Sequence, residues 1–117
     1  MTSSIQIDVT LDKDKMPDTI AWKAPGGGVP DARKAKAILL GLWDGEASES
    51  LRIDLWTTDM KVDEMADFFY QSIMGMAETY GRATRQSELA SEMIAFAKSF
   101  HEKAQTALRD AAGKEGQ

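Results

Sequence analysis

The chain has 117 residues, 43% of them hydrophobic and 28% charged, a length and composition that suit one globular domain with its own core. It contains no cysteine, which excludes disulfide bonds, thiolate metal sites and a thiol nucleophile. The net charge of −5 disfavours nucleic-acid binding and attraction to anionic lipid, since both need clustered Lys and Arg. There is neither a secretory signal pattern nor a run of about 18 apolar residues, so we expect no membrane insertion and a cytoplasmic location.

Alternating apolar and polar residues predict a first strand from Ile5 to Leu11. Ile20 and Trp22 alternate in the same way after a charged turn and indicate a second strand that pairs with the first as a hairpin. The segment 25–30 contains two prolines and three glycines and is expected to be a loop. Its glycine spacing matches no phosphate-binding motif, which favours a structural turn.

The pattern after this loop is less clear. Asp31 is expected to cap a short helical turn that ends at Ala37. Residues 38–42 then fit a third strand, although a helix fits them almost as well. Residues 51–56 alternate clearly and predict a fourth strand, which follows the polar turn region at 44–50.

Two amphipathic helices are predicted after the strands. Asp59 is expected to cap the first, which begins near Met60, and residues 84–86 separate it from the second. The buried stripe expected for the first helix is Val62, Met65, Phe69, Ile73, Met76 and Tyr80. The stripe expected for the second is Leu89, Met93, Phe96 or Ala97, Phe100, Ala104 and Leu108. The tail at 113–117 is expected to be mobile.

Because the strands come first and the helices last, the sequence predicts an α+β fold. It consists of an antiparallel sheet of about four strands, in two hairpins, covered on one face by two C-terminal helices. Residues 1–117 are expected to form a single domain with an ordered core from about residue 4 to residue 110.

The titratable residues match no catalytic, cofactor or metal motif. His101 is the single histidine, and its neighbours one helical turn away are poor metal ligands, so it is expected at the surface. Asp12, Asp14 and Asp18 lack the glycine and the distal glutamate of an EF-hand calcium loop, and Asp63 with Glu64 is explained by the helix dipole. The protein is therefore expected to have no cofactor and no enzymatic activity.

The tryptophans give a candidate binding surface. The apolar residues of the fourth strand are expected to face the helices, which places Arg52, Asp54 and Trp56 on the opposite sheet face. Trp22 or Trp43 is expected to emerge beside Trp56. An aromatic and charged patch of this kind is a candidate site for a protein partner, although Arg52 and Asp54 can also be read as no more than a cross-strand ion pair.

Phe68, Tyr70 and Met74 fall off the predicted stripe of the first helix and are further candidates for a partner-binding surface. Packing in the core is the alternative reading of the methionines. A homodimer that covers an exposed helical stripe is a third possibility, which the mass in solution would distinguish.

Three segments carry a family resemblance: IAWKAPGGGV at 20–29, LRIDLWTTDMKVDEM at 51–65 and FFYQSIMGMAETYGRAT at 68–84. Through them, residues 5–103 closely resemble the GldC family of bacterial gliding-motility-associated proteins. The resemblance implies a small soluble accessory protein without catalytic residues, associated with gliding and so with the type IX secretion machinery. Lys61 stands where a typical member has proline, a change that the first turn of a helix accepts.

The leading hypothesis is a non-enzymatic protein-interaction module whose partner is an unidentified motility or type IX secretion component. The alternative is a small-molecule-binding domain or enzyme with a pocket between sheet and helices. The side chains that can contribute to such a pocket are Tyr70, Tyr80, Arg52, Asp54 and His101.

Overall fold

The computed structural model describes residues 1–115, and it divides the chain into two compact units, Met1–Met60 and Lys61–Gln117. The first unit contains all of the strands, and the second contains both helices. Among the described residues, no helix is both long and apolar enough to cross a membrane.

A three-stranded antiparallel sheet begins the first unit. Its strands are β1 (Gln6–Leu11), β2 (Pro17–Ala24) and β3 (Val29–Ala35), in the order β1-β2-β3. The register pairs Ile20 with Val9 on one side and with Ala35 on the other, so these three side chains share one face. Ile20 is the largest side chain that is fully buried, and the core of this sheet lies around it.

A two-stranded ribbon follows, formed by β4 (Ala37–Asp44) and β5 (Glu49–Trp56). The Asp44 carboxylate fixes the turn by accepting hydrogen bonds from the amides of Glu46 and Ala47, at 2.9 and 3.2 Å. Leu42, Leu51 and Ile53 lie on one face of this ribbon and are about half exposed.

A single residue, Lys36, separates β3 from β4. Its carbonyl oxygen accepts a 2.7 Å hydrogen bond from the amide of Thr57, which directly follows β5. The next amide, of Thr58, donates to the carbonyl oxygen of Pro17 at the start of β2, at 3.1 Å. The first bond links the end of β5 to the residue between β3 and β4, and the second ties it to the start of β2.

The α+β class and the two antiparallel hairpins, β1-β2 and β4-β5, are confirmed. Residues 1–115 contain five strands in two sheets, because Val29–Ala35 is a strand and not the helical turn expected from Asp31. The helical alternative for residues 38–42 was wrong, since they lie within β4. Pro30 and Asp31 favour a turn locally, but pairing with β2 stabilises the extended conformation of β3.

The second unit is a hairpin of two helices, α1 (Val62–Thr84) and α2 (Ser87–Glu115). The break at residues 84–86 was predicted correctly: Arg85 adopts a left-handed conformation with φ of 60° and donates its amide hydrogen to the Gly81 carbonyl oxygen. Asp59 does not cap α1 as expected, because the helix begins at Val62. Instead the Glu64 carboxylate accepts the Lys61 amide hydrogen at 3.1 Å.

Small residues form the closest contact between the helices. Ala77 on α1 and Ala97 on α2 have no exposed surface, and Ala90 is buried beside Gly81. A Cβ atom added to Gly81 would lie 3.2 Å from the Cβ of Ala90, which shows that the two helices approach closely at this level.

The predicted stripes of both helices therefore need correction. Several large residues expected in the buried stripe of α1 are exposed: Val62, Phe69, Met76 and Tyr80. Of the two residues left open for the stripe of α2, Ala97 is buried, whereas Phe96 is 61% exposed. The predicted mobile tail is helical from 113 as far as Glu115, and its last two residues lie outside the described part of the chain.

Candidate functional site

Four of the predicted site residues lie together on one face of the β4-β5 ribbon. The register pairs Trp56 with Ala37 and Trp43 with Ser50, and the alternation of side chains puts Arg52 and Asp54 on the same face. We call these four residues, Trp43, Arg52, Asp54 and Trp56, the tryptophan face. Trp43 is 69% exposed and Trp56 is 55% exposed, so both rings are open to solvent.

The two rings mark the two ends of the ribbon. Six residue steps along β4 separate the pair at Ala37 from the pair at Trp43. At the rise of a β-strand, this separation corresponds to about 20 Å. The tryptophan face is thus an elongated surface with an aromatic side chain at each end, and not one aromatic cluster.

The centre of the tryptophan face is charged and ordered. Arg52 binds Asp54 through two hydrogen bonds, from Nε to Oδ2 at 3.1 Å and from Nη2 to Oδ1 at 3.0 Å. The pair lies within one strand, two residues apart, and not across strands. The guanidinium lies over Gly41, because a Cβ atom on that glycine would be 3.2 Å from Nη1 of Arg52. The ion pair therefore holds the arginine in one position.

Trp22 is not part of this surface. It lies on β2 of the three-stranded sheet, where it is half-buried and pairs with Ile7 and Arg33. One other tryptophan was expected to emerge beside Trp56. Trp43 lies on the same face as Trp56 but at the far end of the ribbon, so the two rings are not neighbours.

The three candidates on α1 are less exposed than those residues of the predicted stripe that face solvent, such as Val62 and Met76. Phe68, Tyr70 and Met74 are half-buried. Tyr70 stacks on His101 of α2, with ring centroids 4.4 Å apart and an interplanar angle of 26°. The expected surface histidine is thus half-buried against a tyrosine ring, and this stack contributes to the contact between the helices.

A polar cluster that the sequence analysis missed follows β5. Thr57 is only 3% exposed, and its hydroxyl lies 2.5 Å from Oδ1 of Asp59 and 3.2 Å from the carbonyl oxygen of Lys36. The hydrogen bond from Thr57 and, to a smaller degree, the charge of Lys36 lower the pKa of Asp59 below its ordinary value of 3.8. The sequence signal for this cluster was a threonine and an aspartate two residues apart at the end of a strand, but Asp59 was interpreted as the cap of the first helix.

The cluster borders a cleft of about 370 Å³ whose lining residues include Asp18, Lys34 and Ala35. Acidic and basic groups alternate around this cleft, so it offers no preference for one sign of charge. Among the described residues, no group of three or more His, Asp or Glu side chains is placed to hold a metal ion. The tryptophan face is therefore the better candidate for the functional site.

We expect the Thr57→Val variant to raise the pKa of Asp59 towards its ordinary value, because valine removes the donor that stabilises the carboxylate. Because the pKa of Asp59 is lower in the folded state than in the unfolded state, the ionised Asp59 carboxylate contributes to the stability of the fold. The contribution is fully present above the unfolded pKa, which is close to the ordinary value of 3.8, and is lost as pH falls through the folded value. NMR titration of the Asp59 carboxyl carbon measures the shift.

The control for this prediction is Thr58→Val, which makes the same change at the exposed neighbouring residue. It should leave the titration of Asp59 as in the parent. An unchanged Asp59 pKa in Thr57→Val would show that the hydroxyl is not the main cause of the shift.

Comparison with known proteins gives one result. A family described as gliding motility-associated protein GldC-like matches residues 17–106, which is more than half of the chain. The matched region includes β2 to β5, all of α1 and most of α2. No curated protein and no solved structure shows a significant match to the chain.

Proposed function

Since the chain belongs to the GldC-like family of gliding motility-associated proteins, we propose that it is a non-enzymatic accessory protein that binds another protein through the tryptophan face. Its partner in this proposal is a component of the gliding machinery or of the type IX secretion machinery associated with it. The protein acts in the cytoplasm, and its contribution is recognition and not chemistry.

The exposure of two tryptophan rings on one face of a two-stranded ribbon is the observation that carries this proposal. Large aromatic side chains are costly to leave in water, and tryptophan and arginine are enriched among the residues that dominate binding at protein interfaces. A patch of two exposed tryptophans around an ordered arginine has the composition of such an interface.

The shape of the tryptophan face indicates the form of the partner. A span of about 20 Å matches six or seven residues in extended conformation. Within the described residues, β4 and β5 form a sheet of their own, so each has one edge that pairs with no other strand. An extended partner segment can therefore lie along the ribbon, place an apolar side chain on each tryptophan and donate or accept backbone hydrogen bonds at an edge.

The partner's charges are constrained as well. Arg52 and Asp54 are already paired, at side-chain exposures of 51% and 39%, so neither presents an uncompensated charge. A partner residue opposite this ion pair therefore contributes more to the binding free energy if it is polar and forms hydrogen bonds than if it is charged. The proposed partner segment is thus apolar at both ends and polar in the middle.

We expect the Trp43→Ala and Trp56→Ala variants each to weaken partner binding by about 30-fold or more, the usual cost of truncating a dominant interface tryptophan. The measurement is co-purification of the tagged full chain with its partner from gently lysed native cells, with mass spectrometry and then titration of the identified partner. Both variants should keep the helical circular dichroism of the parent, because the rings are exposed.

Leu42→Ala is the matched control. Leu42 is the neighbour of Trp43 on β4, is 56% exposed and points to the other face of the ribbon. It should retain the partner at parent strength. Equal loss in Leu42→Ala and Trp43→Ala would place the interface elsewhere, and unfolding of Trp56→Ala would show that this ring is part of the core.

A further inference from the structure

A second unpartnered surface lies on the helical hairpin. Because small residues make the contact between α1 and α2, larger apolar side chains are left on one outer side of the pair. We call this surface the apolar helix face; its residues are Phe69, Met76, Tyr80, Leu89 and Phe96. A groove of about 450 Å³ runs between the two helices on this side, and its lining residues include Ile73 and Met93.

The size of the apolar helix face matters for what covers it. A fully buried aromatic side chain removes about 150–250 Å² from water, so five large residues that are roughly half exposed present on the order of 500 Å². This is at the upper end of the largest apolar patch on a monomeric protein. It is also comparable to the apolar part of the roughly 800 Å² that each partner contributes to a stable interface.

We propose that a second copy of this chain covers the apolar helix face. The two hairpins pack face to face about a two-fold axis that runs perpendicular to the helices. In this arrangement α2 lies antiparallel to α2 of the second copy, and α1 lies antiparallel to the other α1, which gives a four-helix assembly.

Charge complementarity on α2 is the argument for a second copy over another partner. Glu92 precedes Phe96 by four residues, and Lys103 follows it by seven. Eleven residues at 3.6 per turn bring the two charged side chains to within about 20° of each other around the helix. Both are exposed, and neither has an ion-pair partner among the described residues.

The two-fold axis converts this spacing into two ion pairs. If the axis crosses α2 midway between Glu92 and Lys103, it passes beside the ring pair of Phe96 and Phe100, whose centroids are 6.4 Å apart. Glu92 of each copy, which lines the groove, then meets Lys103 of the other copy. An unrelated partner would not require opposite charges placed symmetrically about the ring pair of Phe96 and Phe100.

The first test is the mass of the full chain in solution, by sedimentation equilibrium or light scattering. We expect twice the 12.9 kDa of one chain. Phe96→Glu should weaken self-association by at least about 100-fold, since a charge would be buried at the centre of the contact. Ala95→Glu, which adds the same charge at the next residue and about 100° around the helix, should remain dimeric.

The second test uses charge reversal and does not depend on disturbing the apolar contact. Glu92→Lys alone and Lys103→Glu alone should each weaken self-association by about tenfold, because each places like charges opposite one another twice. An equimolar mixture of the two variants should form a heterodimer at about parent strength, since every cross-copy pair is then opposite in charge. This rescue should fade at high salt.

Each outcome decides the proposal. A parent chain that is monomeric at high micromolar concentration overturns it. So does a parent dimer that survives Phe96→Glu with unchanged affinity, or a mixture of the two charge variants that associates no better than either alone. Circular dichroism of each variant, with helical content equal to the parent, shows that the change in mass does not come from unfolding.

Discussion

Replacing Ile20 with alanine should lower the free energy of unfolding of the first unit by about 2 to 4 kcal/mol. Ile20 is fully buried at the centre of the three-stranded sheet, between Val9 and Ala35. Alanine removes three heavy atoms from that position, and the neighbouring backbone of β1 and β3 is held by ladder hydrogen bonds and cannot collapse fully onto the cavity. The loss of stability therefore has two parts, the lost hydrophobic transfer free energy of the removed atoms and the cost of the cavity that they leave.

The positions of the tryptophans provide the measurement. All three lie in residues 1–60, so fluorescence during urea unfolding reports the first unit, while circular dichroism at 222 nm reports mainly the two helices. Ile20→Ala should move the fluorescence midpoint to lower urea. Whether the helical signal moves with it shows whether the units unfold together.

Ile5→Ala is the matched control, since it is the same substitution at a residue that is 76% exposed and precedes β1. It should change the unfolding free energy by no more than about 0.5 kcal/mol. If Ile5→Ala costs as much as Ile20→Ala, the N-terminal segment has a packing partner in solution and the core extends beyond the surroundings of Ile20.

Replacing Gly81 with leucine should destabilise the helical hairpin by about 1 to 3 kcal/mol or more. A Cβ atom at this position already lies 3.2 Å from the Cβ of Ala90, so the remaining atoms of leucine have to enter the contact between the helices. The helices must separate at this level, which uncovers the fully buried Ala77 and Ala97. The expected result is a lower midpoint in the circular dichroism transition.

The control is Gly75→Leu on the same helix. Nothing lies within 4 Å of a Cβ atom at Gly75, so the added side chain meets no obstacle. Leucine has a higher helix propensity than glycine, which should stabilise the hairpin by somewhat less than about 1 kcal/mol. Opposite signs for the two glycines are expected, and stabilisation of similar size at both would mean that propensity and not close packing decides the effect at Gly81.

Alternation of apolar and polar residues identified most of the strands, and the two hairpins follow from it. It failed at β3, where Pro30 and Asp31 are local turn signals and pairing with β2 determines the structure. It also could not reveal the break at Lys36, because a strand interrupted at one residue has nearly the same pattern as a continuous one. That break assigns Trp22 to one sheet and Trp43 with Trp56 to the other.

Periodicity located both helices within two residues of their starts but selected the wrong contact face. Two faces compete on α1: one has Ala77 and Gly81, and the other has Phe69, Met76 and Tyr80. A hydrophobicity pattern weights the larger residues, whereas close approach of two helix backbones requires the smaller ones. On α2 the sequence left the choice between Phe96 and Ala97 open, and the smaller residue, Ala97, is the buried one.

The candidate site was predictable in part. Strand alternation alone placed Arg52, Asp54 and Trp56 on one face, and the structure has them there with Trp43. The role of Thr57 was not predictable, because its burial depends on the distant carbonyl of Lys36, 21 residues earlier in the chain. Tertiary hydrogen bonds of this kind leave no periodic signal in the sequence.

The connectivity of the strands and helices has a consequence for how the chain folds. Every strand that pairs with another pairs with one next to it in sequence, in β1-β2, β2-β3 and β4-β5, and α1 packs on α2 across a short turn. Closing such short loops costs little entropy, and native contacts of low sequence separation are associated with folding in microseconds to milliseconds. Each hairpin is also complete soon after its second element leaves the ribosome, so acquisition of structure can keep pace with synthesis.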